Sequence, residues 1–161
     1  MDKFNTLCKN LKLNTKNNYL IINNFTNEDA FLDRLASSLN NGTDFVEFNP
    51  TFHTTQNAIR IGRKIQQLCK EFDATFVVTE RADIAYTLDA DGIVLTMNSF
   101  TPQQAKDILG ENALIGITCT TKEEVVSAQN WDIDFIKTLN FVNTNEKISK
   151  KIFSQVLELN I

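Results

Sequence analysis

Six short apolar runs alternate with amphipathic segments along most of this chain, and this alternation constrains the fold more than any other feature. Each run has the length of a β-strand and lacks a polar–apolar alternation, which is typical of parallel strands covered on both faces. The runs are 19–22, 44–48, 74–78, 92–95, 113–117 and 133–137. Because parallel strands are joined by helical crossovers, strict alternation predicts an α/β fold with one parallel sheet.

The segments between the runs carry recognisable helix signals. Thr54 or Thr55 can cap the second of these helices, and Pro102 stands at the first position of a later one, which Gly110 ends. Thr121 with Glu124 predicts a capping box at the start of the last crossover helix. No glycine-rich phosphate loop follows the first strand, but the pattern alone leaves both a doubly wound sheet and a barrel open.

The length of 161 residues predicts a single domain over residues 1–161. We expect an N-terminal helical extension over 1–18, six strand–helix units over 19–141 and a C-terminal helical segment over 142–161. Within that segment, Glu146–Leu159 shows apolar residues at helical spacing. A complete eight-fold barrel typically needs about 250 residues, so a barrel here would be a truncated one.

Composition and charge exclude several classes of protein. A net charge of −4 argues against a nonspecific nucleic-acid binder, which would show a basic patch. No apolar run approaches the roughly 18 residues of a membrane span, and the N-terminal segment lacks the apolar region of a secretory signal. The three cysteines are widely spaced without a CxxC pair, which favours a reduced, cytoplasmic location.

Five segments, taken in order, resemble the thiamine phosphate synthase/TenI family, whose members are (β/α)8 barrels. The clearest match is FVVTERADIA at 76–85, followed by DADGIV at 89–94. The other matching segments are YLII at 19–22, NGTDFVE at 41–47, GIT at 116–118 with KEE at 122–124, and DIDF at 132–135. The resemblance covers roughly residues 19–141 and implies a truncated TIM-barrel-like fold with about six parallel strands, flanked by the N- and C-terminal helices.

The resemblance also implies a ligand site at the carboxyl ends of the strands, together with Mg²⁺ as the cofactor. Glu80 matches one magnesium-binding carboxylate of the family, and Ser99 falls at the position of the second. The candidate ligand-binding residues are Glu47, Asn49, Thr79, Arg81, Thr118, Cys119 and Thr120. No catalytic residue is assigned.

Several positions depart from the chemistry of the family. Residues 47–51 read EFNPT where the synthases carry a Q-L-R-E-K segment, so both of its basic residues are replaced. The histidine of the related thiazole tautomerases falls on Thr120. We therefore expect a catalytically degenerate protein related to thiamine biosynthesis, which binds a small phosphorylated or pyrimidine/thiazole ligand or acts as a partner subunit.

Two alternatives stay open. One is an active synthase, a transferase that joins an aminopyrimidine diphosphate to a thiazole phosphate. The other is a structural, dimer-forming protein without a ligand. In a six-stranded open barrel the first and sixth strands would have unpaired edges, and such edges recruit partners. We therefore expect a homodimer or a partner protein over the open edge, with the helix at Glu146–Leu159 covering the gap or mediating the contact.

Overall fold

The computed structural model of the chain describes residues 19–138, 151–153 and 156–159. Six strands are joined by helical crossovers: β1 (Tyr19–Ile22), β2 (Phe45–Phe48), β3 (Thr75–Thr79), β4 (Gly92–Thr96), β5 (Leu114–Cys119) and β6 (Phe135–Thr138). The crossover helices are α1 (Glu28–Asn40), α2 (Thr55–Glu71), α3 (Ala82–Thr87), α4 (Pro102–Leu109) and α5 (Lys122–Ala128), and a 3-10 helix spans Pro50–Phe52. All neighbouring strands pair in parallel, in chain order. The predicted α/β fold with six parallel strands is confirmed.

Local sequence explains where the crossover helices begin. The Thr54 hydroxyl accepts a hydrogen bond from the backbone of Asn57 and so caps α2. The complete capping box lies at α4, where Thr101 and Gln104 satisfy each other's backbone groups. The box predicted at α5 forms only in half, because Thr121 accepts from the backbone of Glu124 while the Glu124 carboxylate binds Thr120 instead.

Each strand buries both of its faces. Alternate residues form an apolar cluster on the face of the sheet that turns away from the helices: Tyr19, Phe45, Val77, Val94, Leu114 and Phe135. The residues between them pack under the helices in two larger clusters. This double burial is why the runs read as continuously apolar. Gly116 makes room for the ring of Phe135, because a Cβ atom at Gly116 would lie 2.2 Å from that ring.

The C-terminal segment is not helical where the structure describes it, so the helix predicted over Glu146–Leu159 is wrong there. Lys151–Phe153 forms β7, parallel to β6, and Val156–Glu158 forms β8, parallel to β1. The apolar spacing fits a helix, but strand pairing satisfies backbone groups that β1 and β6 would otherwise leave open. The helix predicted near the N-terminus and residues 142–150 lie outside the described residues.

The two closing strands, β7 and β8, stand at opposite ends of the strand order although only two residues separate them in the chain. Three Cα–Cα steps of 3.8 Å separate Phe153 from Val156, so these residues lie at most about 11 Å apart. The sheet must therefore curl until its two ends meet. The edges of β1 and β6 are both paired within the chain, which corrects the expectation of an open barrel edge.

None of the helices in the described parts of the chain is long and apolar enough to cross a membrane.

Candidate functional site at the carboxyl ends of the strands

The face of the sheet that turns away from the helices is the interior face. On four neighbouring strands, polar side chains continue this face beyond the apolar cluster, and we call them the interior layer. Thr79, Thr96 and Lys137 each lie two residues beyond a member of the apolar interior cluster and Thr118 lies four beyond Leu114, so all four point into the same interior. Thr96 pairs in register with Thr118, and Thr118 with Lys137. Because all strands are parallel, these groups meet at one end of the sheet, the end where barrels of this kind carry their sites.

A buried hydrogen-bonded cluster, here called the Glu47 cluster, joins this layer across the interior. Nζ of Lys137 lies 2.9 Å from Oε1 and 3.1 Å from Oε2 of Glu47, and the Thr79 hydroxyl donates to Oε2 over 2.6 Å. The Tyr19 hydroxyl donates to Oε1. The Glu47 and Lys137 side chains are 0% and 4% exposed. In a flat sheet β2 and β6 would be about 19 Å apart, so this contact requires the curled sheet.

The buried charge of Glu47 is stabilised by donors from three side chains. Burial, and then the charge and hydrogen bond of Glu47, raise the pKa of Tyr19 well above its ordinary value, so Tyr19 remains a protonated donor. Glu47 thus has three donor side chains, one of them a cation. A buried ion pair of this kind is costly to break, because either charge left alone has no compensation.

Glu80 follows β3 in a left-handed backbone conformation, with φ of 56°. Its Oε1 atom accepts hydrogen bonds from the hydroxyls of Thr96, at 3.0 Å, and of Ser99. The two positions that the resemblance assigns to magnesium binding therefore meet. The set is all oxygen with one carboxylate, and in the described residues no group of three or more acidic, histidine or cysteine side chains surrounds a metal position. Such a set fits Mg²⁺ that arrives with phosphate oxygens and water, which complete its octahedral shell.

Arg81, the next candidate, is already paired. Its guanidinium donates to both carboxylate oxygens of Asp83 at 2.9 Å and 2.6 Å, and reaches the Thr55 hydroxyl at 3.4 Å. The hydrogen bond with Asp83 raises the pKa of Arg81 and lowers that of Asp83. Arg81 therefore lies along the outer rim, where it holds α3 to the start of α2.

Asn49, the residue after β2, uses its side chain for hydrogen bonds within the protein. Its side-chain oxygen accepts from the backbone of Thr51 and starts the 3-10 helix, while its side-chain nitrogen donates to Asn23 at 3.0 Å. The side chains of Asn49 and Asn23 thus tie the ends of β1 and β2 together. Asn49 lies near the mouth of the interior but uses both of its polar atoms within the protein.

The three candidates at the end of β5 divide between two faces. Thr118 lies in the interior layer, partly exposed, as a ligand-facing residue would be. The placement expected for Cys119 is wrong, because it is fully buried under the helices, where burial raises its thiol pKa to about 11. Thr120 is exposed and binds the Glu124 carboxylate through both its backbone N–H and its hydroxyl.

Sequence reasoning missed Tyr19 and Lys137. Tyr19 reads as one more apolar strand residue, and Lys137 as the end of an apolar run. The available signal was a charged residue two positions beyond an interior aromatic in each of two runs, Glu47 after Phe45 and Lys137 after Phe135. Predicting that Glu47 and Lys137 form a pair also requires knowing that the sheet curls, and no local sequence pattern indicates the curl.

Parallel strands with helical crossovers, closed round a packed interior and ending in a polar layer, define a protein of the (β/α)-barrel class. Residues 18–156 match the family described as thiamine monophosphate synthase, and this chain belongs to that family.

Individual relatives agree with this assignment. The chain is 26% identical over 129 residues to a thiamine-phosphate synthase of Methanobrevibacter smithii, a match that covers 80% of this chain and 62% of the relative. It is 32% identical over 102 residues to one of Haloarcula marismortui, covering 63% and 48%. The chain thus spans about half to three-fifths of these curated relatives. Thiamine phosphate pyrophosphorylase from Pyrococcus furiosus shares the fold, with a TM-score of 0.67, 24% identity and coverage of 89% of this chain and 76% of that one.

Proposed function

We propose that this protein binds a small pyrimidine- or thiazole-type ligand at the carboxyl mouth of its barrel and does not transfer a diphosphate-activated group. The observation that supports this most directly is the pairing of two cations, which lie at the strand ends in the described part of the chain. Lys137 is bound to Glu47, and Arg81 to Asp83.

The pairing of Lys137 and Arg81 with carboxylates disfavours a diphosphate ligand. A diphosphate is bound tightly where guanidinium and ammonium groups can form charge-assisted hydrogen bonds with it. At this mouth such a ligand would first have to displace a carboxylate from each cation, and displacing Glu47 would leave a buried charge without a partner. Lys122, the next cation beyond β5, is exposed on the first turn of α5 and is not part of the interior layer.

The groups that remain at the mouth suit a neutral or cationic heterocycle. Thr118 lies in the interior layer, and Thr96 with Ser99 holds the Glu80 carboxylate in place. Hydroxyl and carboxylate oxygens accept hydrogen bonds from ring amines. Mg²⁺ would be recruited by Glu80, Thr96 and Ser99 only with a phosphorylated ligand, where it would neutralise the phosphate charge.

Isothermal titration with four compounds tests the proposal: the aminopyrimidine alcohol, its diphosphate, the thiazole alcohol and its phosphate, each with and without Mg²⁺. We expect the unphosphorylated alcohols to bind at least as tightly as the phosphorylated forms. Thr118→Val should weaken that binding by about tenfold, which is the effect of removing one hydrogen bond to a ligand. Thr87→Val, on α3 away from the mouth, serves as the matched control.

An active synthase is the second candidate, favoured by the direct contact between Glu80 and Ser99. Release of pyrophosphate from the aminopyrimidine diphosphate and the thiazole phosphate, in the presence of Mg²⁺, decides between the two. Turnover together with Mg²⁺-dependent micromolar binding of the diphosphate would overturn the binding-only proposal.

A further inference from the structure

The closure of the sheet differs from its other joints. We call the stretch from β6 through the closing strands to β1 the seam. β7 pairs with β6 over three residue positions and β8 pairs with β1 over three others, as β3 does with β4, whereas the remaining joints pair over four or five. In the described part of the chain, neither closing strand pairs with both neighbours. The seam is therefore joined by two separate short ladders.

The Glu47 cluster spans this seam. Lys137 lies on β6, on one side of it, while Tyr19 on β1, Glu47 on β2 and Thr79 on β3 lie on the other side. β6 and β2 lie four strand positions apart in either direction round the sheet, and one of these directions runs through the closing strands and β1. The ion pair between Lys137 and Glu47 thus connects the two sides directly across the interior, independently of the backbone ladders.

We propose that the ion pair of Lys137 with Glu47 holds the seam closed, and that the seam is the part of the barrel that opens. Without the ion pair the closing strands detach from β1 and β6, and the interior is reached from that side, while β2 to β5 stay folded. This inference concerns the fold and does not depend on which ligand binds.

The opening is local for an energetic reason. Removal of Lys137 leaves the Glu47 carboxylate buried without a cation, and hydration is what relieves that penalty. Water reaches Glu47 through the seam by breaking only the two three-residue ladders. The joint between β3 and β4 also has a three-residue ladder, but opening it parts the two apolar clusters under the helices, and the remaining joints pair over four or five positions.

Amide hydrogen exchange of the full chain, read by mass spectrometry, tests this proposal. In Lys137→Met we expect exchange to rise by about tenfold or more at β1 and at the closing strands, including the Leu159 amide, which donates to the Ile21 carbonyl at 3.1 Å. Exchange in β4 and β5 should change by less than about twofold.

Two variants serve as controls. Glu47→Gln combined with Lys137→Met removes both charges and should return exchange at the seam toward the wild-type rate. Lys64→Met removes an exposed ion pair with Glu28 and should leave the seam unchanged.

A uniform rise in exchange across β1 to β6 would overturn the proposal, because the ion pair would then support the whole core. Unchanged exchange at the seam would overturn it as well. Should Lys137→Met fail to fold, Thr79→Val keeps the ion pair and removes one of the hydrogen bonds to Glu47. It should give a smaller rise with the same distribution, and a uniform or absent rise in that variant counts against the proposal.

Discussion

At the scale of single residues, the neighbours of each titratable group decide its chemistry. His53 shows this outside the mouth. Its ring lies between Phe25 and Phe48, with ring centroids 5.2 Å and 5.9 Å away, and its buried Nε2 atom has no hydrogen-bond partner among the described residues. Burial lowers the pKa of His53, opposed in part by a hydrogen bond with the backbone of Asn23. The folded protein therefore keeps this histidine neutral.

The lowered pKa of His53 predicts a loss of stability in mild acid. The unfolded chain takes up a proton near the ordinary histidine pKa of about 6.5, while the folded chain resists it, so this contribution is present above that pH and falls below it. We expect the free energy of unfolding of the wild type to fall more between pH 7.5 and pH 5.5 than that of His53→Phe. Urea unfolding at both pH values measures this, and equal losses would contradict it.

Cys69 and Cys119 should behave as packing residues. Burial raises the thiol pKa of Cys69 to about 12 and that of Cys119 to about 11, and the thiolate is the reactive form. In the native protein at pH 8 we expect both to stay unmodified by a disulfide reagent during the minutes in which a free thiol reacts. Peptide mass spectrometry locates the modification, and denatured protein provides the fully reactive reference. Rapid native modification of Cys119 would revive a role for it at the rim.

At the scale of elements, local patterns predicted the six strands and their crossovers because each carries its own signal. The segment after β6 behaves differently. Its apolar residues fit a helix, but Lys151–Phe153 and Val156–Glu158 meet two strand edges that curl toward each other. The sequence of the segment itself does not indicate that these edges are available for pairing. The same limit explains the site: Glu47 and Thr79 were predicted from the resemblance, whereas Lys137 needed the closed sheet.

Packing between β5 and β6 gives a prediction at this scale. An added Cβ at Gly116 would lie 2.2 Å from the ring of Phe135, so Gly116→Ala should lower the free energy of unfolding by about 1–3 kcal/mol. Phe135→Leu, a smaller side chain, should recover part of that loss when combined with Gly116→Ala. Chemical denaturation of both single variants and the double variant measures the coupling. Strictly additive losses would show that the two side chains do not compete for the same space.

At the scale of the whole molecule, the predicted homodimer needs a different contact from an open sheet edge. Both edges are paired within the chain, so a second copy gains access to β1 and β6 only when the closing strands leave them. Exchange of the closing strands between two copies would re-form the same ladders at little cost. This contact is the one we propose for the dimer.

Light scattering after size-exclusion chromatography tests the exchange. We expect Lys137→Met to show a larger dimer fraction than the wild type at the same concentration, because its closing strands detach more readily. The dimer fraction of Lys64→Met should equal that of the wild type. Equal dimer fractions in all three proteins would place the dimer contact elsewhere on the surface.

The pairing of β8 with β1 also has a consequence in time. Every other strand pairs with its neighbour along the sequence, but Tyr19 pairs with Val156, 137 positions later. Contacts of such separation carry the largest loop-closure entropy and form late. During synthesis the arc from β1 to β6 can assemble as each unit emerges, while the ring stays incomplete until the closing strands have been made. Among the described strands, closure of the barrel is thus the last pairing to form, and the edge of β1 that β8 covers stays open until β8 has been made.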